Sequence, residues 1–209
     1  MTKILTKLLK NFFLPLLVIY IAFLSYNYNF FRVANNSWFA THQTSAEQLI
    51  IDGLLNGKDE YGRLSLGRYS RPNIENQAVL KKLYNDRNKS GKFEQYKSSY
   101  GLQLHLFHYL EIFGYKNINT FHGITALLMS SVVGIFFYLL SRYFSIASAL
   151  IFSATLILSP WIVVFARNLY WVPATWFVPM IISMYYSRSN FASKSSNIKF
   201  FIFFILAYL

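Results

Sequence analysis

The sequence predicts an all-α integral membrane protein with four complete transmembrane helices and an incomplete fifth. Of its 209 residues, 55% are hydrophobic and only 13% are charged, which is more apolar than a soluble core of this size requires. Apolar runs of about 20 residues can cross a hydrocarbon layer roughly 30 Å thick as helices, because a helix satisfies its own backbone hydrogen bonds there. All eight acidic residues lie between Glu47 and Glu111, so one long polar segment separates the first apolar run from the others.

The first predicted unit, residues 1–31, is a cytoplasmic leader followed by a transmembrane anchor. Basic residues precede an apolar run over residues 12–28. No A-x-A-like cleavage site follows this run, and the aromatic residues after it are typical of the outer membrane interface. We therefore predict an uncleaved anchor rather than a signal peptide.

The second predicted unit, residues 32–117, is an extracytoplasmic loop that carries interfacial helices. Residues 45–55 have apolar side chains at near-helical spacing, which predicts a short amphipathic helix on the membrane surface. Residues 58–72 are rich in Gly, Arg, Tyr and Ser and are predicted to be irregular, and residues 73–84 a second helix. The apolar and aromatic residues 100–113 predict a further interfacial helix that leads into the membrane.

The third predicted unit, residues 118–209, holds the remaining transmembrane helices. Complete spans are predicted over residues 120–140, 146–165 and 170–186, with two prolines distorting the last of these. Residues 200–209 supply only ten residues, or roughly 15 Å of helix. We therefore expect the chain to be the first part of a longer protein, with a truncated frame as the alternative.

The placement of basic residues predicts the orientation in the membrane. Seven of them fall on one side if the N-terminus is cytoplasmic: Lys3, Lys7, Lys10, Arg142, Arg188, Lys194 and Lys199. The positive-inside rule then predicts that the long loop lies on the extracytoplasmic side of the membrane. The chain is thus predicted to be a multi-pass membrane protein with a cytoplasmic N-terminus.

Composition also limits the chemistry. There is no cysteine, so thiol catalysis is excluded. His105, His108 and Glu111 are spaced three apart and would offer metal ligands on one helix face, but a polar stripe on an interfacial helix is the favoured interpretation. We expect no metal and no cofactor.

The net charge of +12 is not accompanied by a nucleic-acid-binding motif, so membrane lipids rather than nucleic acid are the expected partners.

The order of these features resembles a known family. The motifs that carry the likeness are Ala46-Glu47 to Gly57, Tyr100-Gly101-Leu102-Gln103, Ile112-Phe113-Gly114-Tyr115, Ser159-Pro160-Trp161 and Ala166-Arg167-Asn168. Together they resemble the N-terminal module of polytopic GT-C type glycosyltransferases, in the protein-mannosyltransferase and aminoarabinose-transferase branch. Such enzymes take a sugar from a polyprenyl-phosphate carrier and pass it to a glycan or lipid acceptor at the outer face of the membrane.

The resemblance implies roles for particular residues. A carboxylate on the first outer loop is the general base of such enzymes, which makes Glu47 the first candidate and Asp52 the second. Arg167 matches the family's arginine near the lipid phosphate, which its planar guanidinium suits. Substrate contacts are further expected from Asn168, Tyr100, Gln103 and Trp171, the last by stacking on a sugar ring. Each role has a simpler alternative. Glu47 would be a carboxylate on the solvent-facing side of a surface helix, and Arg167 would extend to the interface among aromatic residues.

A second class of function is compatible with the same sequence. A flippase, transporter or polymerase component of polysaccharide assembly would bind polyprenyl phosphate without transferring a sugar. An inactive truncated fragment is the third possibility. The carboxylates discriminate between the first two, because only an enzyme requires one of them near the lipid phosphate.

Overall fold

The computed structural model describes residues 9–58, 62–71, 74, 76–97 and 101–187. These residues are mostly helical. A single π-helical turn, Leu9–Phe13, leads into α1, and seven further helices and two short strands follow. In chain order the elements are α1 (Leu14–Tyr28), α2 (Asn36–Asn56), β1 (Gly67–Tyr69), α3 (Gln77–Asn85), β2 (Phe93–Gln95), α4 (Leu102–Ile112), α5 (Ile118–Tyr143), α6 (Ile146–Leu158), α7 (Pro160–Phe165) and α8 (Ala174–Ser187).

Two helical segments in the described part of the chain are long and apolar enough to cross a membrane. They are Asn11–Tyr28, which includes α1, and Ile118–Tyr143, which is α5. They coincide with the first and second predicted spans. Four complete spans are not confirmed, and the incomplete fifth lies outside the described residues.

The predicted third and fourth spans are interrupted or short. Helix α6 has 13 residues, about 20 Å of helix, and ends before Ser159. Ser159 has an extended backbone, its side chain caps α7, and Pro160 brings no N–H to continue the α6 hydrogen bonds. Helix α8 has 14 residues and begins only after Val172, whose φ is 39°, and Pro173. The predicted third span therefore becomes two helices, α6 and α7, and the fourth becomes the short helix α8.

Helix α2 differs most from the sequence prediction. Its 21 residues extend well beyond the predicted residues 45–55, and Asn35 caps its start by accepting a hydrogen bond from the Ser37 amide. Every residue from Glu47 to Leu55 is buried, so the prediction of an amphipathic helix on the membrane surface is wrong. The physical reason is packing, because α2 contacts β1, α3, α4 and α7. A Cβ at Gly53 would lie 2.8 Å from the Ser65 carbonyl oxygen, so a glycine permits this close approach.

The segment between the two candidate spans, which we name the outer segment because it is predicted to be extracytoplasmic, also contains a small β-ribbon. Strands β1 and β2 pair antiparallel, with Arg68 opposite Glu94. Residues 58–72 are therefore not wholly irregular, although the described residues remain mostly helical, consistent with the predicted all-α class. Helices α3 and α4 occupy the places predicted for residues 73–84 and 100–113, with Asn76 capping α3 and Gly101, at a φ of 66°, preceding α4.

Two hydrophobic clusters organise the described residues. The first joins the candidate spans to α6 and α7 and includes Ala22, Met129 and Phe136. The second lies in the outer segment and includes Ile50 and Phe107, with Phe121 from the first turn of α5. The outer segment therefore rests on the N-terminal end of α5.

Gly134 allows α1 and α5 to pack closely, and its substitution tests this contact. A Cβ at position 134 would clash with Ile19 and lie 3.3 Å from the Pro15 carbonyl oxygen. We expect Gly134→Ala to lower the free energy of unfolding by about 1–3 kcal/mol, as overpacking does. Thermal unfolding in detergent measures this.

Gly123→Ala is the matched control, since an added Cβ there meets no atom within 4 Å. Alanine is favoured over glycine inside a helix by about 1 kcal/mol, so this variant should be neutral or stabilised. Equal behaviour of the two variants would contradict the close contact between α1 and α5.

Candidate functional site

Glu47 is the centre of the candidate site. Its side chain has 0% exposure, although it lies in the polar segment of the sequence. The His122 Nε2 atom lies 3.0 and 3.1 Å from its two oxygens, and the Leu169 amide donates to Oε1 at 3.1 Å. Gln77 Nε2 donates to Oε2 at 3.3 Å. The interpretation of Glu47 as a carboxylate on a wet helix face is therefore wrong, because three separate elements enclose it.

Glutamine side chains hold this arrangement in place. Gln43, one helical turn before Glu47, donates to the Val164 carbonyl at 2.6 Å and accepts from Gln77 Nε2 at 2.6 Å. Helices α2, α3 and α7 are thus joined by one buried hydrogen-bond network. Such a network fixes side-chain positions most firmly when its members are all satisfied.

Arg167 follows α7 and lies beside the same carboxylate. Its Nη1 donates to the Asn27 carbonyl at 3.0 Å, and its guanidinium lies 4.2 Å from the centre of the Phe39 ring. The Arg167 Nε is buried and has no hydrogen-bond partner among the described residues. Burial lowers the pKa of Arg167 and the charge of Glu47 opposes this, while the group stays protonated. Arg167 therefore keeps one N–H group without an acceptor among the described residues, at an atom that is itself closed off from solvent.

Lys81 brings a second cation to the site. Burial, with a smaller contribution from Arg167, lowers the pKa of Lys81, whereas Glu47 raises it. Two cations close enough to repel each other favour an anion between them. Both lie outside the candidate spans.

An open pocket of about 710 Å³ joins these groups to the candidate spans. Its polar lining comes from Lys81, Arg167, Gln77, His122, Asn27 and Asn119. Its apolar lining includes Phe23 from α1 and Ile124 and Leu127 from α5. The pocket thus combines a cationic end with an apolar side between two helices that can cross a membrane. Glu47 does not line it and contacts it through His122 and Gln77.

Asp52, the second predicted base, lies elsewhere on α2. It forms an ion pair with Arg71, and it accepts hydrogen bonds at 3.1 Å from the Tyr69 amide and from Gln48. Both charged side chains are almost completely buried. Burial raises the pKa of Asp52, while the Tyr69 amide and Arg71 lower it. This ion pair fastens the β-ribbon to α2, and neither residue lines the pocket.

The predicted substrate-binding residues are placed differently from one another. Asn168 is buried and accepts from the Tyr170 and Trp171 amides at 2.8 and 3.0 Å, so it shapes the turn after α7. Gln103 donates to the Tyr170 carbonyl at 3.0 Å, which ties α4 to that turn. Trp171 is exposed and packs edge-on against Tyr170 and Trp176. Tyr100 lies outside the described residues.

Two of the three residues first considered as metal ligands, His108 and Glu111, belong to an ion-pair cluster. Glu111 accepts from Tyr84 and from Arg87, the latter at 2.9 Å, and His108 Nδ1 lies 3.9 Å away. Among the described residues, no group of three His, Cys, Asp or Glu side chains is arranged to hold a metal ion.

Sequence reasoning missed His122, Gln77 and Lys81. One signal for His122 was present, because a histidine inside a candidate span is a functional hypothesis by default. Lys81 stands in a basic run, Lys81 to Lys97, and a run of this kind is usually a solvated surface, so it does not single out Lys81. Nothing in the sequence singles out Gln77, because its neighbours come from α2.

Comparisons of this chain with protein-family models, curated protein sequences and solved structures gave no match. The resemblance to GT-C glycosyltransferases therefore stays a prediction.

Proposed function

We propose that this chain belongs to a membrane glycosyltransferase that takes a sugar from a polyprenyl-phosphate donor. The acceptor is a glycan or lipid of the cell envelope, at the outer face of a bacterial inner membrane. The observation that carries the proposal is the pocket between α1 and α5. It places Arg167 and Lys81 next to apolar side chains of two helices that can cross a membrane.

The lining of the pocket suits a lipid phosphate. Arginine and lysine form strong charge-assisted hydrogen bonds to phosphate oxygens, and Arg167 and Lys81 both line the pocket. Phe23 and Leu127 offer an apolar path for the first isoprene units. Tyr28 and Leu127 are exposed at the pocket, so a lipid can enter from the side.

The proposed transfer is a direct displacement. The acceptor oxygen forms a bond to the anomeric carbon while the bond from that carbon to the phosphate oxygen breaks, and the electron pair leaves with the polyprenyl phosphate. Arg167 and Lys81 stabilise the charge on the leaving phosphate. The acceptor proton passes to Glu47 by way of His122, whose Nε2 already contacts both carboxylate oxygens. The configuration of the sugar inverts.

One observation favours the alternative of a non-enzymatic component that only binds polyprenyl phosphate. Glu47 is enclosed by hydrogen-bond donors and does not line the pocket. In a flippase or conduit, Glu47 would hold Arg167 and His122 in position and take no proton.

Glu47→Gln separates the two functions. Removal of a general base is expected to lower sugar transfer by about 100-fold or more. Binding of undecaprenyl phosphate should persist or tighten, because a negative charge near the phosphate is lost. Transfer is measured with the full chain in membranes. The donors are a panel of radiolabelled polyprenyl-phosphate sugars, and envelope extract supplies the acceptor.

Asp52→Asn is the matched control, since it neutralises another buried carboxylate of the same helix. Its transfer rate per folded molecule should match that of the unmodified protein. Loss of transfer in this variant alone would assign the base to Asp52. Lipid-phosphate binding without transfer of any sugar would favour the non-enzymatic alternative.

A further inference from the structure

Helix α4 has an unpartnered apolar face. Four large side chains follow one another at helical spacing along it and its C-terminal cap: Leu102, Leu106, Tyr109 and Phe113, with exposures of 72%, 37%, 60% and 76%. Contiguous exposed apolar surface of this kind marks contact with a membrane or another protein. The sequence predicted an interfacial helix here with a histidine-rich polar stripe, but it did not identify which face is free.

The opposite face of α4 is anchored, so the exposed face cannot turn inward. Leu104 and Phe107 are fully buried, and the Phe107 ring lies 5.1 Å from that of Phe121 in the first turn of α5. Glu111 is held by Tyr84 and Arg87. A helix that is apolar on both faces needs apolar surroundings on its second side as well.

The surroundings of α4 point to lipid as the occupant. Helix α4 packs on the first turn of a candidate span and is joined to it by a short connection, so it lies at the level of that end of the span. Exposed Tyr115 and Lys116 stand in this connection. Aromatic and basic residues at this depth are typical of the headgroup region, where lysine complements anionic lipids.

We propose that the face formed by Leu102, Leu106, Tyr109 and Phe113 inserts into the boundary between headgroups and acyl chains of an anionic bilayer. Helix α4 then lies along the membrane and holds the outer segment, with Glu47, at a constant depth. The inference rests on the membrane placement in the proposed function, but it does not require that the pocket binds a lipid phosphate.

The chain has no cysteine, so a single introduced cysteine is the only site that a thiol-reactive label can modify. Single cysteines at positions 106 and 109 carry nitroxide labels in the full chain, reconstituted in vesicles of phosphatidylglycerol and phosphatidylethanolamine. Accessibility to oxygen, which concentrates in lipid, is compared with accessibility to a water-soluble nickel chelate. Labels at three further positions serve as controls. Exposed Lys89 reports water, exposed Ile135 in α5 reports lipid, and buried Ala126 reports the protein interior.

We expect the ratio of oxygen to nickel accessibility at positions 106 and 109 to exceed that at position 89 several-fold and to approach that at position 135. A ratio equal to that at position 89 would overturn the inference, because the face would then be in water. Low accessibility to both reagents, as at position 126, would also overturn it and assign the face to a protein partner. Undecaprenyl phosphate binding by the same labelled variants tests the proposed function separately.

Discussion

Replacing Arg71 by methionine is expected to lower the free energy of unfolding by about 3–5 kcal/mol, the largest stability effect that we predict. Asp52 has no exposed surface, and Arg71 is its only cationic partner among the described residues. Without Arg71 the carboxylate keeps two weaker donors, the Tyr69 amide and Gln48, and remains buried with an uncompensated charge. Thermal unfolding in detergent at neutral pH measures the loss.

The loss of unfolding free energy in Arg71→Met depends on pH. Burial already raises the pKa of Asp52, and Arg71 is one of the groups that lower it. In Arg71→Met the folded-state pKa rises further, so the folded protein binds a proton more readily than the unfolded chain. The penalty is therefore full above the raised pKa, shrinks as pH falls through it, and vanishes below the unfolded value of about 3.8.

Two further variants control for the charge itself. Arg87→Met removes one of the partners of Glu111, but Arg87 is 42% exposed, so its loss should cost less than about 1 kcal/mol. Combining Arg71→Met with Asp52→Asn should recover part of the stability, because no charge is then left buried. Equal effects of Arg71→Met and Arg87→Met would contradict the buried ion pair.

Removing both cations of the pocket is expected to weaken polyprenyl-phosphate binding about 100-fold or more. Hydrogen bonds to charged groups contribute roughly 1.5–3 kcal/mol each, and about 1.4 kcal/mol corresponds to tenfold in affinity. The variant is Lys81→Met with Arg167→Met, which keeps much of the apolar length of both side chains. Native mass spectrometry of the detergent-solubilised chain with undecaprenyl phosphate gives the affinities.

Arg142→Met is the matched control for this experiment. Arg142 is also a cation close to a candidate span, but it lies at the opposite end of α5 and bonds to Tyr138. Its loss should leave the affinity unchanged. Undecaprenol, which lacks the phosphate, should bind the double variant and the unmodified chain equally. A double variant that keeps its affinity for the phosphate would remove the basis for an anion site.

The sequence predicted helices α1 and α5 because long apolar runs carry a strong local signal. It did not predict the burial of α2, since the residues that cover this helix come from β1, α4 and α7. Strands of three residues, such as Gly67–Tyr69, give almost no periodicity to detect. Ser159-Pro160 is a signal for a helix start, but we predicted one continuous span over residues 146–165.

The sequence identified individual residues of the candidate site, but it did not show how the fold brings them together. Glu47 and Arg167 were proposed separately, from a resemblance, and the structure brings them together through contacts more than 100 residues apart in sequence. His122 was missed because it stands inside an apolar run. Asp52 and Asn168 carry the right chemistry, but their hydrogen bonds hold the β-ribbon and the turn after α7.

Photo-cross-linking with a polyprenyl phosphate that carries a diazirine in its first isoprene unit tests the lipid-phosphate pocket most directly. Peptide mapping by mass spectrometry should locate the cross-links at Phe23, Ile124 and Leu127. Excess undecaprenyl phosphate should compete with them, and the variant lacking Lys81 and Arg167 should lose them. Cross-links spread over exposed apolar residues of α6, such as Leu150 and Ile151, and insensitive to the two cations would contradict a lipid-phosphate site between α1 and α5.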